Sequence, residues 1–132
     1  MRHKVSGKKF NRTTNHRRSM FKNLVQSLLV NEYVETTVPK AKVTIKHAQK
    51  LINKAKDGSV HTRRQIIASL FDKKVANKVV DVLAPRYENK PGGFIKMMRL
   101  GRRRGDNTMI ARLELIKENT AEPASPAAQE NK

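Results

Sequence analysis

The amino-acid sequence predicts an α+β fold in which helices cover a small three-stranded sheet. Apolar residues recur every three or four positions over residues 14–31 and again over residues 38–84, which is the period of amphipathic helices. Residues 33–37 and 109–116 instead alternate between side chains of different polarity, which is typical of strands. The predicted order is α-β-α-α-α-β-β, and the predicted sheet is mixed. The helices are expected to form a second layer over it, because a three-stranded sheet needs one face covered.

The first predicted helix begins at Thr14 or Asn15, either of which can cap a helix. Its apolar face repeats at three- and four-residue spacing: Met20, Phe21, Leu24, Val25, Leu28 and Leu29. Arg17, Arg18 and Lys22 occupy its first half, where cations oppose the helix macrodipole. An external anion would remove that conflict, and phosphate is the obvious candidate.

A short strand and a second helix follow. Tyr33–Thr37 is rich in β-branched residues, Thr37 can then cap a helix, Pro39 suits its first turn, and Gly58 closes it. The apolar face of this helix steps by four, three, four and three residues: Ala41, Ile45, Ala48, Ile52 and Ala55. Another face, which we name the lysine ridge, carries a lysine every four residues: Lys42, Lys46, Lys50 and Lys54. The lysine ridge is either a solvated surface or a face that meets a phosphate backbone.

Two further helices are expected to contribute to the core. Ser59 caps the third predicted helix, Val60 to Phe71, and Asp72 caps the fourth, which Pro85 ends. The residues predicted to be buried are Ile66, Ile67, Leu70 and Phe71 in the third helix and Val75, Val79, Val82 and Leu83 in the fourth.

A hairpin completes the predicted domain. Pro91-Gly92-Gly93 marks a loop, and an apolar extended run from Phe94 to Leu100 follows it. The segment 101–107, with three consecutive arginines between two glycines, connects this run to the last strand. The second and third strands are therefore predicted to pair across a basic tip.

The chain is predicted to divide into a basic arm (1–13), one domain (14–116) and a disordered tail (117–132). Seven Lys or Arg precede Met20 and the first carboxylate is that of Glu32, so charge repulsion opposes compaction of the arm unless an anion binds it. The tail contains two Pro and several Ala and has no core-forming periodicity.

The composition favours a nucleic acid as the partner. Lys and Arg number 29 against 11 Asp and Glu, so the formal net charge is +18 and the surface is largely a positive field. The absence of Cys excludes disulfides, zinc sites with Cys ligands and thiol nucleophiles, and the four His lack metal-site spacing. No run is apolar enough to predict a membrane span, and no cofactor motif is present.

Two short motifs do not predict an activity. His16 and Ser19 lie three apart on the first predicted helix, but no orienting acid or nucleophile-elbow sequence accompanies them. Arg104-Gly105-Asp106 matches a cell-adhesion tripeptide, yet Asp106 is better explained as a turn residue. His47 and His61 are interpreted as incidental polar residues. We therefore expect a protein that is not an enzyme and needs no metal or cofactor.

The N-terminal segment and the hairpin tip are the predicted nucleic-acid contacts. Arginines next to glycines bring guanidinium forks and exposed backbone N–H groups close to phosphates. The predicted contact residues are Arg2, His3, Lys4, Lys8, Lys9, Arg12, His16, Arg17, Arg18, Lys22, Arg99, Arg102, Arg103 and Arg104. The lysine ridge is the third candidate.

Short motifs spread from Met1 to about Ile116 carry a resemblance to a known family. The opening motifs are Met1-Arg2-His3-Lys4, Ser6-Gly7, Asn11-Arg12, His16-Arg17 and Met20-Phe21-Lys22-Asn23-Leu24. The later motifs are Thr36-Thr37, Lys40-Ala41-Lys42, Arg63-Arg64, Pro85-Arg86-Tyr87, Gly92-Gly93-Phe94, Gly105-Asp106-Asn107 and Leu113-Glu114-Leu115. In this order they resemble bacterial large-subunit ribosomal protein seventeen.

The resemblance implies a structural, cytoplasmic protein of the large ribosomal subunit that binds the large-subunit rRNA and supports translation. It also implies neighbouring ribosomal proteins near the nascent-chain exit side and the same order of helices and strands as above. We expect no membrane, no small-molecule substrate and no homo-oligomer. The alternative that composition supports is a stand-alone basic protein that compacts DNA or RNA, while a membrane-surface protein is disfavoured by the missing Trp.

Overall fold

The computed structural model describes residue 3 and residues 7–117 of the chain. Arg2 and Lys4 of the predicted arm, and residues 118–132 of the predicted tail, lie outside the described residues. The described part has an α+β fold, as predicted. Its elements are α1 (Thr14–Asn31), β1 (Tyr33–Thr37), α2 (Val38–Ala55), α3 (Val60–Leu70), α4 (Lys73–Lys78), a π-helical segment (Val79–Leu83), α5 (Ala84–Arg86), β2 (Ile95–Arg102) and β3 (Met109–Leu115).

The sheet of the described part is antiparallel throughout, so the prediction of a mixed sheet is wrong. Its strand order is β1-β3-β2, and β3 pairs antiparallel with both neighbours, Tyr33 opposite Glu114 and Ile95 opposite Leu115. A parallel pair would have required β1 to lie beside β2, but β1 pairs instead with β3, the second strand of the hairpin. The register of the hairpin shifts between Arg99 and Gly101, where the glycine takes a φ of 142° that suits a bulge.

Helices α1 and α2 cover one face of this sheet. Phe21, Val25, Leu28 and Leu29 are buried on α1, at the spacing that the sequence predicted. The buried residues of α2 are Ala41, Thr44, Ala48, Ile52 and Ala55, while Ile45 packs partly buried beside them. Full burial of a leucine-sized side chain stabilises the fold by about 1.5–3 kcal/mol, so these rows are the main reason for the two-layer packing.

The helix starts follow from their capping residues. The Ser59 hydroxyl accepts a hydrogen bond from the Thr62 N–H at 3.1 Å, and the Asp72 carboxylate accepts one from the Lys74 N–H at 2.8 Å, which confirms both predicted caps. The first helix begins at Thr14, as one of the two predicted starts has it, but its N-cap residue is Thr13 rather than Thr14 or Asn15. The Thr13 carbonyl accepts the Arg17 N–H at 2.9 Å.

A π-helical segment shifts the buried face of the fourth helical region. Val80 is buried, whereas Val82, predicted to be buried, is 47% exposed. The residues buried here recur at intervals of four, whereas the prediction of Val82 assumed a step of three residues from Val79. Pro85 does not end the helical region, because it lies in the first turn of α5, where its missing N–H is tolerated.

Phe71 also departs from its prediction. Helix α3 ends at Leu70, and Phe71 follows as its C-cap residue with a φ of 56° in the left-handed region. The Phe71 N–H donates to the Ile67 carbonyl at 2.7 Å, while the side chain is turned away from the core and is 83% exposed. Phe71 therefore does not belong to the buried face of α3.

Candidate nucleic-acid interface

A groove of about 790 Å³ lies between α1, α2 and the C-terminal end of α3. Among the described residues that line it, six are basic and none is Asp or Glu. The basic residues are Lys8, Arg17, Arg18, Lys22, Lys50 and Lys54. We name this surface the basic groove.

The basic groove joins two sets of residues that the sequence predicted separately. Arg17, Arg18 and Lys22 lie on the first half of α1, and Lys50 and Lys54 lie one turn apart on the second half of α2. The apolar rows of both helices pack into the same core, so the polar faces next to those rows meet along the groove. Uncompensated like charges this close together favour an anionic ligand.

The floor of the groove is apolar. Val25, Val43, Leu51 and Leu70 line it together with the basic residues, so the cations stand around a less polar surface. Partial burial lowers the pKa of Lys22 from its ordinary value. Such a floor suits the flat faces of nucleotide bases, while the cations suit phosphates.

Phe10 attaches the N-terminal segment to the helices. The chain turns at Phe10 and Asn11, whose φ angles are 56° and 49°, and the Arg12 N–H donates to the Lys9 carbonyl at 3.2 Å. The Phe10 ring meets the Phe21 ring edge-on at a centroid distance of 5.4 Å. The basic arm is therefore turned rather than extended at this point, and an aromatic contact holds the chain against α1.

Two of the predicted contact arginines also bind within the chain. The Arg12 guanidinium donates from Nη1 to the Phe10 carbonyl at 3.2 Å, and that of Arg17 donates from Nη1 to the Arg12 carbonyl at 3.3 Å. The Arg12 Nε is buried without a hydrogen-bond partner among the described residues. Arg12 thus supports the turn, whereas Arg17 supports it and lines the groove.

The hairpin tip is a separate basic surface, since no residue that lines the basic groove comes from the hairpin. Arg103 donates to the Asp106 carboxylate from Nε at 3.1 Å and from Nη2 at 2.5 Å. This pairing lowers the pKa of Asp106 and raises that of Arg103. All three arginines of the tip are exposed, but Arg103 is paired with Asp106, so Arg102 and Arg104 are better placed to meet an external phosphate.

The other predicted contact residues within the described part are exposed but lie outside the groove. They are His3, Lys9, His16, Lys42, Lys46 and Arg99. Lys42 and Lys46 continue the lysine ridge towards the start of α2. The ridge therefore contributes its second half to the groove and its first half to open surface.

Besides the buried Phe21, two aromatic side chains of the groove were not predicted as functional. His47 lines it with its ring 5.8 Å from that of Phe21, and Phe71 stands exposed with the Lys22 ammonium over its ring. The adjacent capping residue Asp72 was the available signal for Phe71, because a cap there requires α3 to end just before it. No comparable signal marks His47.

The described residues offer neither a membrane-spanning helix nor a metal centre. No helix in this part of the chain is long and apolar enough to cross a membrane. Residues 3 and 7–117 also contain no group of three or more acidic or His side chains that could hold a metal ion.

Known proteins resemble this chain over most of its length. The family model described as "Ribosomal protein L17" matches residues 20–116. Large ribosomal subunit protein bL17 of Anaeromyxobacter dehalogenans is 44% identical over 130 residues, which cover 98% of this chain and 79% of the relative. The bL17 protein of Syntrophobacter fumaroxidans is 43% identical over 129 residues, covering 98% and 85%, and that of Mesorhizobium japonicum is 42% identical over 121 residues, covering 92% and 85%.

Proposed function

The chain belongs to the ribosomal protein L17 family, and on that premise we propose that it is a structural constituent of the large ribosomal subunit that binds the large-subunit rRNA. Its relatives carry the name of a large-subunit protein. This role is structural rather than catalytic, and it places the protein in the cytoplasm with the subunit.

The charge of the basic groove is the observation that carries the rRNA-binding proposal. Six basic side chains without a lining carboxylate, among the described residues, form a positive field that lacks an internal counter-ion. RNA phosphates supply that counter-charge, and the release of their condensed cations drives binding. The groove is therefore the primary contact, with Lys8, Arg17, Arg18, Lys22, Lys50 and Lys54 against phosphates.

The N-terminal arm extends this contact. Lys8 and Lys9 precede the turn at Phe10, and the aromatic contact with Phe21 fixes where the arm leaves α1. Residues 1–13 act as the arm, with Arg2, His3 and Lys4 contributing further contacts, and residues 14–116 act as the rRNA-binding domain.

The hairpin tip is the second contact. Arg102 and Arg104 meet phosphates, while the Arg103–Asp106 pair holds the shape of the turn. Arg99 and the first half of the lysine ridge add basic surface. Recognition is mainly of RNA shape and backbone, because flexible basic side chains read phosphate positions rather than base edges.

The partners are the large-subunit rRNA and neighbouring ribosomal proteins near the nascent-chain exit side. Crosslinking of the assembled particle, followed by sequencing of the attached RNA and peptides, identifies both. RNA crosslinks at the groove and tip support the proposal, and crosslinks confined to other surfaces contradict it.

Sedimentation of a cell extract tests the proposal against a stand-alone compacting protein. The expected result is co-migration with the large subunit through a high-salt wash. Fractionation with chromosomal DNA, or with free RNA away from the subunit, would support the compacting protein instead. A bulk DNA-binding protein of similar charge serves as the control for nonspecific retention.

A further inference from the structure

Phe71 combines exposure, a strained backbone and a place in the basic groove. Its side chain is 83% exposed, its φ is 56°, and it lines the groove beside the end of α3. A bulky residue at positive φ is uncommon, since glycine or asparagine fits a left-handed C-cap position with less strain. The fold therefore gains little from a phenylalanine here.

The surroundings of the ring match those of a base-stacking platform. The Lys22 ammonium lies over the ring, and Lys22 also lines the groove with the other cations. Nonspecific binding of single-stranded nucleic acid combines an aromatic face for the base with cations for the backbone. Phe71 supplies the face and the basic groove supplies the cations.

The carboxylate nearest to Phe71 in sequence is hydrogen-bonded away from the groove. Asp72 follows Phe71 directly, but its carboxylate accepts hydrogen bonds from the N–H groups of Lys74 and Val75 and from the Gln26 amide. Its charge is thus directed to the start of α4. Among the described residues that line the groove itself, none is acidic.

We propose that Phe71 stacks against an unpaired base of a single-stranded rRNA segment whose phosphates lie on the cations of the basic groove. This inference rests on the proposed function and adds to it the form of the RNA: an unpaired nucleotide at the α3 end of the groove. The base takes the ring face over which Lys22 lies in the free protein. The Lys22 ammonium moves to an adjacent phosphate, where its charge interaction is stronger than with the ring.

Two RNA probes separate stacking from charge. One is a 12-nucleotide single-stranded oligoadenylate, and the other has the same length and charge but abasic riboses at its internal positions. Their dissociation constants are measured by fluorescence anisotropy for the full chain and for F71N, F71Y and V60A. Val60 is the matched control, since it is an exposed apolar residue of α3 that does not line the groove.

The expected result is a loss of affinity that is confined to the F71N variant and the oligoadenylate probe. F71N binds oligoadenylate about 5- to 150-fold more weakly than the wild type, the range found when a stacking aromatic is removed. Its affinity for the abasic probe changes less than about twofold, F71Y stays near the wild type, and V60A is unchanged. The thermal midpoint of F71N does not fall, because asparagine tolerates the left-handed conformation.

Other outcomes overturn the inference and can be told apart from failure of the proposed function. Equal losses on both probes would assign Phe71 to the shape or charge of the groove, and no loss on either would leave it without an RNA role. If F71N bound RNA normally but failed to enter large subunits, the ring would contact a protein. The proposed function itself fails when the wild type does not bind large-subunit rRNA, whatever F71N does.

Discussion

The salt dependence of rRNA binding tests whether the cations of the basic groove contact phosphates. We choose K50Q/K54Q, which removes two of the six basic residues from the groove and leaves the arm and the tip intact. Lys50 and Lys54 are exposed. They follow Lys46 at four-residue spacing on α2, so each is the neighbour of another lysine. Replacing them removes like-charge pairs that each cost about 0.2–0.5 kcal/mol, so the variant unfolds no more easily than the wild type.

The magnitude follows from the number of phosphate contacts. Six contacts give a slope of log affinity against log salt of about −4 for single strands to about −5 for duplexes, so affinity falls about 300- to 2,000-fold between 50 and 200 mM salt. Four contacts reduce that loss to about 50- to 150-fold. Additional contacts at the arm and tip make both slopes steeper by the same amount and leave their difference unchanged.

The assay is a filter-binding titration of large-subunit rRNA at several salt concentrations. K73Q/K74Q is the matched control, since Lys73 and Lys74 are exposed on α4, carry the same charge and do not line the groove. We expect K50Q/K54Q to lower the slope by about 1.4 to 1.8 and the control to leave it nearly unchanged. Equal changes in the two variants would show that only total charge matters and would refute the assignment of the groove.

Three further predictions concern stability and the arm. E32Q lowers the free energy of unfolding at neutral pH by about 1.5–3 kcal/mol, because the carboxylate binds Arg86 through two hydrogen bonds. The Arg86 contact lowers the folded-state pKa of Glu32 below its ordinary 4.5, so this stabilisation is present above that pH and is lost as pH falls through the folded pKa. The free energies of unfolding of E32Q and wild type, measured in urea, should therefore converge in acid. A difference that stays constant with pH would contradict the assignment. Y87F costs about 1–2 kcal/mol, since the buried hydroxyl donates to the Ile116 carbonyl at 2.6 Å, but it leaves the salt slope of RNA binding unchanged. Deletion of residues 2–12 leaves the far-ultraviolet circular dichroism nearly unchanged and weakens rRNA binding, whereas global unfolding would show that the arm is part of the core.

Local signals in the sequence predicted the elements well. Tyr33–Thr37 is a strand with the predicted bounds, and Ser59 and Asp72 cap the helices that the sequence assigned to them. Each of these depends on a few neighbouring residues whose side-chain chemistry acts on the backbone beside it. Such effects can be read without knowledge of the tertiary structure.

The departures arise where distant or cooperative geometry decides. Phe71 belongs to the apolar period of α3, but the left-handed turn that joins α3 to α4 points its side chain outward. Val82 follows the helical period, but a π-helical segment moves it to the surface. The turn at Phe71 is marked only indirectly, by the capping residue Asp72 that follows it, and a π-helical segment has no strong sequence signature.

The basic groove also combines residues that the sequence predicted with an arrangement that only the fold provides. Its cations were predicted as individual phosphate contacts, but Lys50 and Lys22 come together only because α1 and α2 pack side by side. The order of the strands depends on long-range pairing, which the sequence pattern does not reveal. The prediction of a mixed sheet therefore missed the position of β3 between its neighbours. Residue chemistry was therefore readable from the sequence, whereas the arrangement of the residues required the fold.

The central position of β3 has a consequence for synthesis of the chain. Both β1 and β2 hydrogen-bond to β3, and Tyr33 lies opposite Glu114, which is made much later. A growing chain therefore presents the arm and α1 long before β1 has a neighbour, and the sheet closes only after Leu115 has emerged. Basic residues thus become available to RNA before the domain that carries them has finished folding.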